Sequence, residues 1–134
     1  MFDFITQYSD WGLLILRLGV AYVFWAHGLP KIKDVGKFAG FLQQLKVPAA
    51  GLMGWVVSLW ETLGAVLLAL GIFTPLVALG FVAVMLVAIR GVKIGMAKAD
   101  FVGGWELEFT LLVAALALVF TGAGALSLDA FFGI

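Results

Sequence analysis

Four stretches of this chain are almost unbroken runs of apolar residues, at 11–28, 50–71, 75–90 and 104–122. Each is near the ~17–25 residues that cross a bilayer as a helix. The third is the shortest, and local signals bound it. Thr74 and Pro75 open it as an N-cap and a first-turn proline would, and Arg90-Gly91 closes it. The link Gly71-Ile72-Phe73-Thr74-Pro75 is short, so the second and third spans are predicted to be antiparallel neighbours. Between the first two spans the pattern changes. In KIKDVGKFAGFLQQLK, residues 31–46, Ile32, Val35, Phe38, Leu42 and Leu45 recur at helical spacing, and Lys, Asp and Gln fill most other places. That is an amphipathic helix suited to lie in the headgroup layer, or to close one mouth of the bundle as a lid. The predicted class is an all-α membrane protein: an antiparallel four-helix transmembrane bundle with an interfacial amphipathic helix between spans one and two.

Composition agrees. Of 134 residues, 64% are hydrophobic and 12% charged, and the mean hydropathy is +1.17. A single domain over 1–134 is expected at this length. The formal net charge is zero, which gives no reason to expect a nucleic-acid partner and leaves membrane lipid as the expected surroundings. There is no cysteine, so disulfides, iron–sulfur clusters, thiol redox chemistry and c-type haem attachment are excluded. A lone histidine cannot ligate a haem from both sides, and no helix gathers His and carboxylates at metal-ligand spacing. The opening MFDFITQYSDW has Asp3 and Asp10 but no basic residue. It lacks the n-region of a secretory signal, so the first run is expected to stay as a span.

Loop charges predict orientation. Lys31, Lys33, Lys37 and Lys46 lie between spans one and two, and Arg90, Lys93 and Lys98 between spans three and four. The termini and the 71–75 turn carry no Lys or Arg. The positive-inside rule then puts the basic loops in the cytoplasm and both termini outside, in an inner (cytoplasmic) membrane.

Candidate chemistry sits on the charges inside the spans. Arg17 and Glu61 are each costly in a bilayer. Counted from the ends of spans one and two, their depths differ by only ~6 Å, which predicts an Arg17–Glu61 pair. It would act either as a staple fixing register or as part of a site. Gly54, Ser58, Glu61, Gly64 and Ala65 share a face of span two that should point inward. In span four, Glu106 and Glu108 point to opposite sides; Glu106 lies on the small stripe with Thr110, Val113, Ala114, Ala117 and Thr121 and is expected inside. His27 and Arg90 fall near the same mouth. Each has a plainer reading, as a helix-end residue and as a snorkelling arginine.

Three pieces carry a family likeness: RLGVAYVFWAHGLPKI (17–32), WETLGAVLLALGIFTPLVAL (60–79) and GGWELEFTLLVAALALVFTGAGALSLD (103–129). In these the chain resembles the DoxX family of small four-span membrane proteins, with GGWE and GAGALSLD the most specific parts. It departs from the family at the end of span three, where members often carry a histidine and this chain has AIRGVKIG. The family takes its name from a subunit of an archaeal thiosulfate:quinone oxidoreductase. The resemblance implies an integral membrane subunit of a redox system, with Arg17, Glu61 and Glu106 at the family's charged positions. A quinone-like or other small hydrophobic molecule is the implied ligand. Arg17, Glu61, Glu106, His27, Tyr22, Trp60 and Arg90 are the candidate ligand-binding residues. The chain has no electron-carrying motif of its own, so any quinone-linked oxidoreductase activity would need a redox-enzyme partner subunit. A non-enzymatic scaffold or lipid-binding module is the alternative. A transporter or proton pathway is a third reading and would need a homo-oligomer, the assembly expected here.

Overall fold

The computed structural model describes residues 3–134; Met1 and Phe2, part of the expected domain, lie outside the described residues. A short α1 (Asp3–Thr6) leads into α2 (Ser9–Lys33), α3 (Val35–Gln44), α4 (Ala50–Leu70), α5 (Thr74–Met96), α6 (Phe101–Thr121) and α7 (Leu128–Phe132). Helices α2, α4, α5 and α6 are long and apolar enough to cross a membrane. They pack as a ring, α2 on α4, α4 on α5, α5 on α6 and α6 back on α2. The all-helical four-span class is the one expected from the pattern. Across the ring, Phe24 of α2 stacks on Phe81 of α5 with centroids 3.8 Å apart. Both rings are fully buried, with Leu68, Ala78, Ala115 and Leu118 around them.

Three departures from the expected boundaries matter. Helix α2 begins earlier and runs on through Pro30 to Lys33, so Lys31 belongs to the span. Helix α5 continues past Arg90-Gly91 to Met96, which puts Lys93 on a helix beside α6. Helix α6 starts with a break: Val102 is extended and Gly103 has φ +74°, so the regular helix runs from Glu106.

The amphipathic helix is shorter than its pattern, because Asp34 separates it from α2. The Asp34 carboxylate accepts the Lys37 N–H at 3.0 Å and caps α3. Its apolar side, led by buried Val35 and Leu42, turns onto α4. Gly54 allows that approach, since a methyl there would meet the Ala39 Cβ at 3.2 Å.

At the opposite end, Gly71 closes α4 at φ +70° and the chain turns directly into α5. After α6 the segment 122–134 folds back over this turn. The Asp129 carboxylate accepts the Phe73 and Thr74 N–H groups at 2.7 and 3.0 Å, and so caps α5 from a distance in sequence. The Asp129 N–H donates to the Gly71 carbonyl at 2.8 Å. Asp10 accepts the Ala125 N–H at 2.7 Å. The GAGALSLD motif is therefore a strap that ties the turn end of the bundle.

Candidate functional site

Arg17 lies under this strap and does not meet Glu61. Its Nε donates to the Ala69 carbonyl at 3.4 Å, one terminal nitrogen donates to the Ala123 carbonyl, and the other to Leu126 at 2.8 Å. Asp129 supplies the favourable opposite charge. The expected Arg17–Glu61 pair is thus corrected, and the reason is register. Arg17 stands level with Gly71, where an added methyl would lie 3.0 Å from the guanidinium carbon. Glu61 stands level with Gly28, eleven residues or ~16 Å further along α2. A depth count from the span ends sets the start of α2 level with the end of α4, whereas α2 starts well beyond the turn. Arginine suits this post because its planar fork can serve several carbonyls at once.

Glu61 pairs instead with Lys31. The Lys31 ammonium donates to both carboxylate oxygens, at 2.7 and 2.5 Å. Glu61 is 1% exposed, whereas the Lys31 side chain keeps 28% of its surface. Three local features build this pair. Gly28 lets α2 touch α4, because a methyl there would come within 2.9 Å of the Glu61 backbone and Cβ. Lys31 is one turn further along the same side of α2. On α4 a wider π turn runs over Trp60–Gly64, a local irregularity of a kind frequent at functional positions.

The pair borders a cavity of about 500 Å³ at the α3 end of the bundle. All four spans and α3 contribute to its wall, which is overwhelmingly apolar. Phe38, Phe41 and Leu42 of α3, with Leu45 just past its end, form one side, so the amphipathic helix covers the cavity. Trp60 forms another. Its indole N–H donates to the Val77 carbonyl at 3.2 Å, and the ring lies against Gly80, where any Cβ would collide with it. The polar residues on the wall are His27, Lys31, Glu61 and Glu108.

Glu108 brings the second charged pair. Its Oε1 lies 3.1 Å from the Lys93 ammonium, which also donates to the Gly104 carbonyl at 3.0 Å. Its Oε2 is buried and has no hydrogen-bond partner among the described residues. This reverses the expected roles on α6. Glu106, Thr110, Val113, Ala117 and Thr121 are exposed, and the inward face carries Leu111, Ala115 and Leu118. The small stripe misled because its hydroxyls need nothing from the bundle: Thr110 and Thr121 donate to their own helix, to Glu106 and Ala117 carbonyls at 2.8 and 2.9 Å.

Of the residues singled out from sequence, the structure brings His27, Trp60 and Glu61 to one cavity. It places Arg17 at the other end. Tyr22 points outward, 73% exposed, beside a shallow groove shared with Leu18, Trp25 and Val66. Arg90 and Glu106 are exposed and off the cavity wall. Lys31, Lys93 and Glu108 were missed as site residues. By sequence the two lysines read as loop charges; the spacing of Lys31 after Gly28 is the signal that points to its role.

Comparison with known proteins bears on this geometry. The DoxX family model matches residues 12–94, which leaves the GGWE and GAGALSLD motifs outside the match. CatD of Bacillus subtilis (strain 168), provisionally named an oxidoreductase, is 32% identical over 120 residues, covering 90% of this chain and 86% of CatD. The inner membrane protein YphA of Escherichia coli (strain K12) is 31% identical over 134 residues, covering 92% of this chain and 96% of YphA. No solved structure matches the chain significantly. With the family match running through three of the four spans and both relatives spanning nearly the whole length, the chain belongs to the DoxX family of membrane proteins.

Proposed function

We propose that the cavity at the α3 end binds a quinone-like or other small hydrophobic molecule, and that the protein serves as the integral membrane subunit of a redox system. The observation that carries this is the cavity itself: about 500 Å³ of apolar space with charged side chains at its edge. Cavities of ~300–1,000 Å³ with a few convergent polar groups suit small molecules. The orphaned Glu108 Oε2 fits a ligand with a polar head better than a bare acyl chain. Trp60 and the α3 phenylalanines offer flat surfaces for a ring. A bound quinone would supply two-electron chemistry that no side chain here has. The chain's own part is to bind it, orient its head with Lys31 and Glu108, and keep water out with α3. The name of CatD agrees with a redox setting. Lys31 and Lys93 lie at the same end as Lys37 and Lys98, which we place in the cytoplasm; a soluble redox partner would then meet the α3 face.

The test is extraction. Protein purified in mild detergent is stripped with organic solvent and the extract is separated and analysed for quinones. Near-stoichiometric quinone from the wild type, with a loss when Ala88→Phe fills the cavity, supports the proposal. Quinone at no more than the level carried by an unrelated membrane protein from the same cells would overturn it.

A further inference from the structure

We infer that Glu108 is a ligand-binding residue that accepts a hydrogen bond from a hydroxyl, so that the cavity prefers the reduced, O–H-bearing form of a ring compound to its carbonyl-only form. This rests on the cavity reading above and adds the chemical class of the ligand's head.

The two charged pairs near the cavity, Lys31–Glu61 and Lys93–Glu108, are satisfied unequally. Glu61 has both oxygens occupied by the Lys31 ammonium. Glu108 has only Oε1 in contact with Lys93, and Oε2 is buried without a partner among the described residues. A buried carboxylate oxygen left unpaired is costly. Glu108 forms an ion pair with the Lys93 ammonium at 3.1 Å. An ionised carboxylate only accepts hydrogen bonds. The missing partner must therefore be a donor. Leu107, Leu111, Val84 and Ala88, which line the cavity together with Glu108, carry no side-chain donor. A ligand carbonyl brought to Glu108 would place two acceptors face to face. A ligand hydroxyl would complete the site with a short charge-assisted bond. Lys31 supplies the complementary element. Two of its three N–H groups are engaged by Glu61, which leaves one for an oxygen acceptor. The cavity thus carries an acceptor on α6 and a donor on α2. A molecule with an apolar ring and at least one hydroxyl satisfies both, and a hydroquinone is one such molecule.

Duroquinol and duroquinone test this, because they share a ring and four methyl groups and differ in two hydroxyl hydrogens. Binding to the detergent-purified full chain is measured by anaerobic titration calorimetry. The expected result is duroquinol binding roughly 10-fold more tightly than duroquinone, the scale of one hydrogen bond to a charged group. In Glu108→Gln the preference should shrink to about twofold, since the acceptor loses its charge. In Glu106→Gln, outside the cavity, the preference should stay unchanged. The wild-type ratio is informative even if Glu108→Gln folds poorly. Equal binding of both probes to the wild type overturns the role of Glu108 while leaving the cavity proposal standing. Binding of neither probe overturns both.

Discussion

Replacing Lys31 by Met should be among the most damaging single changes in this protein, and the damage should be undone by a second change at Glu61. The wild-type carboxylate is 1% exposed and takes both of its hydrogen bonds from the Lys31 ammonium, at 2.7 and 2.5 Å. Lys31→Met leaves that charge buried and alone, a loss of roughly 3–5 kcal/mol. Glu61→Gln is predicted to cost less, ~1–2 kcal/mol, because Lys31 is already 28% exposed and its long side chain can turn toward water. The double variant removes the stranded charge and should cost no more than Glu61→Gln alone. The expected coupling is therefore at least ~3–5 kcal/mol, the whole cost of Lys31→Met, well above the scatter of additive sites. The same cycle with Arg17→Met in place of Lys31→Met should be additive within ~0.5 kcal/mol, since Arg17 and Glu61 share no partner. Reversible unfolding in mixed micelles, followed by tryptophan fluorescence, gives the four stabilities of each cycle. Coupling below ~0.5 kcal/mol for Lys31–Glu61, or larger for Arg17–Glu61, would refute the assignment of partners.

Three further outcomes follow from the geometry. Arg17→Lys should recover only part of the stability lost in Arg17→Met, as a single ammonium cannot serve the Ala69, Ala123 and Leu126 carbonyls as a guanidinium does; the order of the three proteins' melting temperatures checks this. Gly80→Ala should push the Trp60 indole off α5 and break its bond to Val77, seen as a shifted tryptophan emission and a loss of about 1–3 kcal/mol. Cysteines introduced at positions 37 and 98, in a chain with none of its own, should resist an impermeant thiol reagent applied to intact cells, and labelling from outside would reverse the proposed orientation.

The four spans could be read from the sequence because bilayer thickness and helical rise leave little freedom. The inward face of α4 was legible for a similar reason. Gly54, Ser58, Glu61, Gly64 and Ala65 are all buried, and small residues around an acid have few other places to go. The partner of Arg17 was not legible. Its carbonyls come from Ala123 and Leu126 in a strap with no periodicity, and main-chain acceptors leave no mark on residue type. The choice of Glu106 over Glu108 failed because small residues also suit a lipid-facing helix whose threonines bond to their own backbone. Lys31 and Lys93 read as loop charges in the sequence, but both lie on the long helices and pair with span carboxylates, Lys31 with Glu61 and Lys93 with Glu108.

The central claim is that a ring-bearing ligand sits between the α3 helix and the spans, rather than in the outward groove beside Tyr22. Photolabelling measures this directly. An azido-quinone is irradiated with the purified protein, and the labelled peptides are identified by mass spectrometry. The account predicts adducts on the cavity wall, at Met53–Trp60 of α4 and Gly80–Ala88 of α5, suppressed by excess unlabelled quinone. Adducts concentrated on Leu18, Tyr22 and Trp25, or spread evenly over the lipid-facing surface and insensitive to competitor, would contradict it.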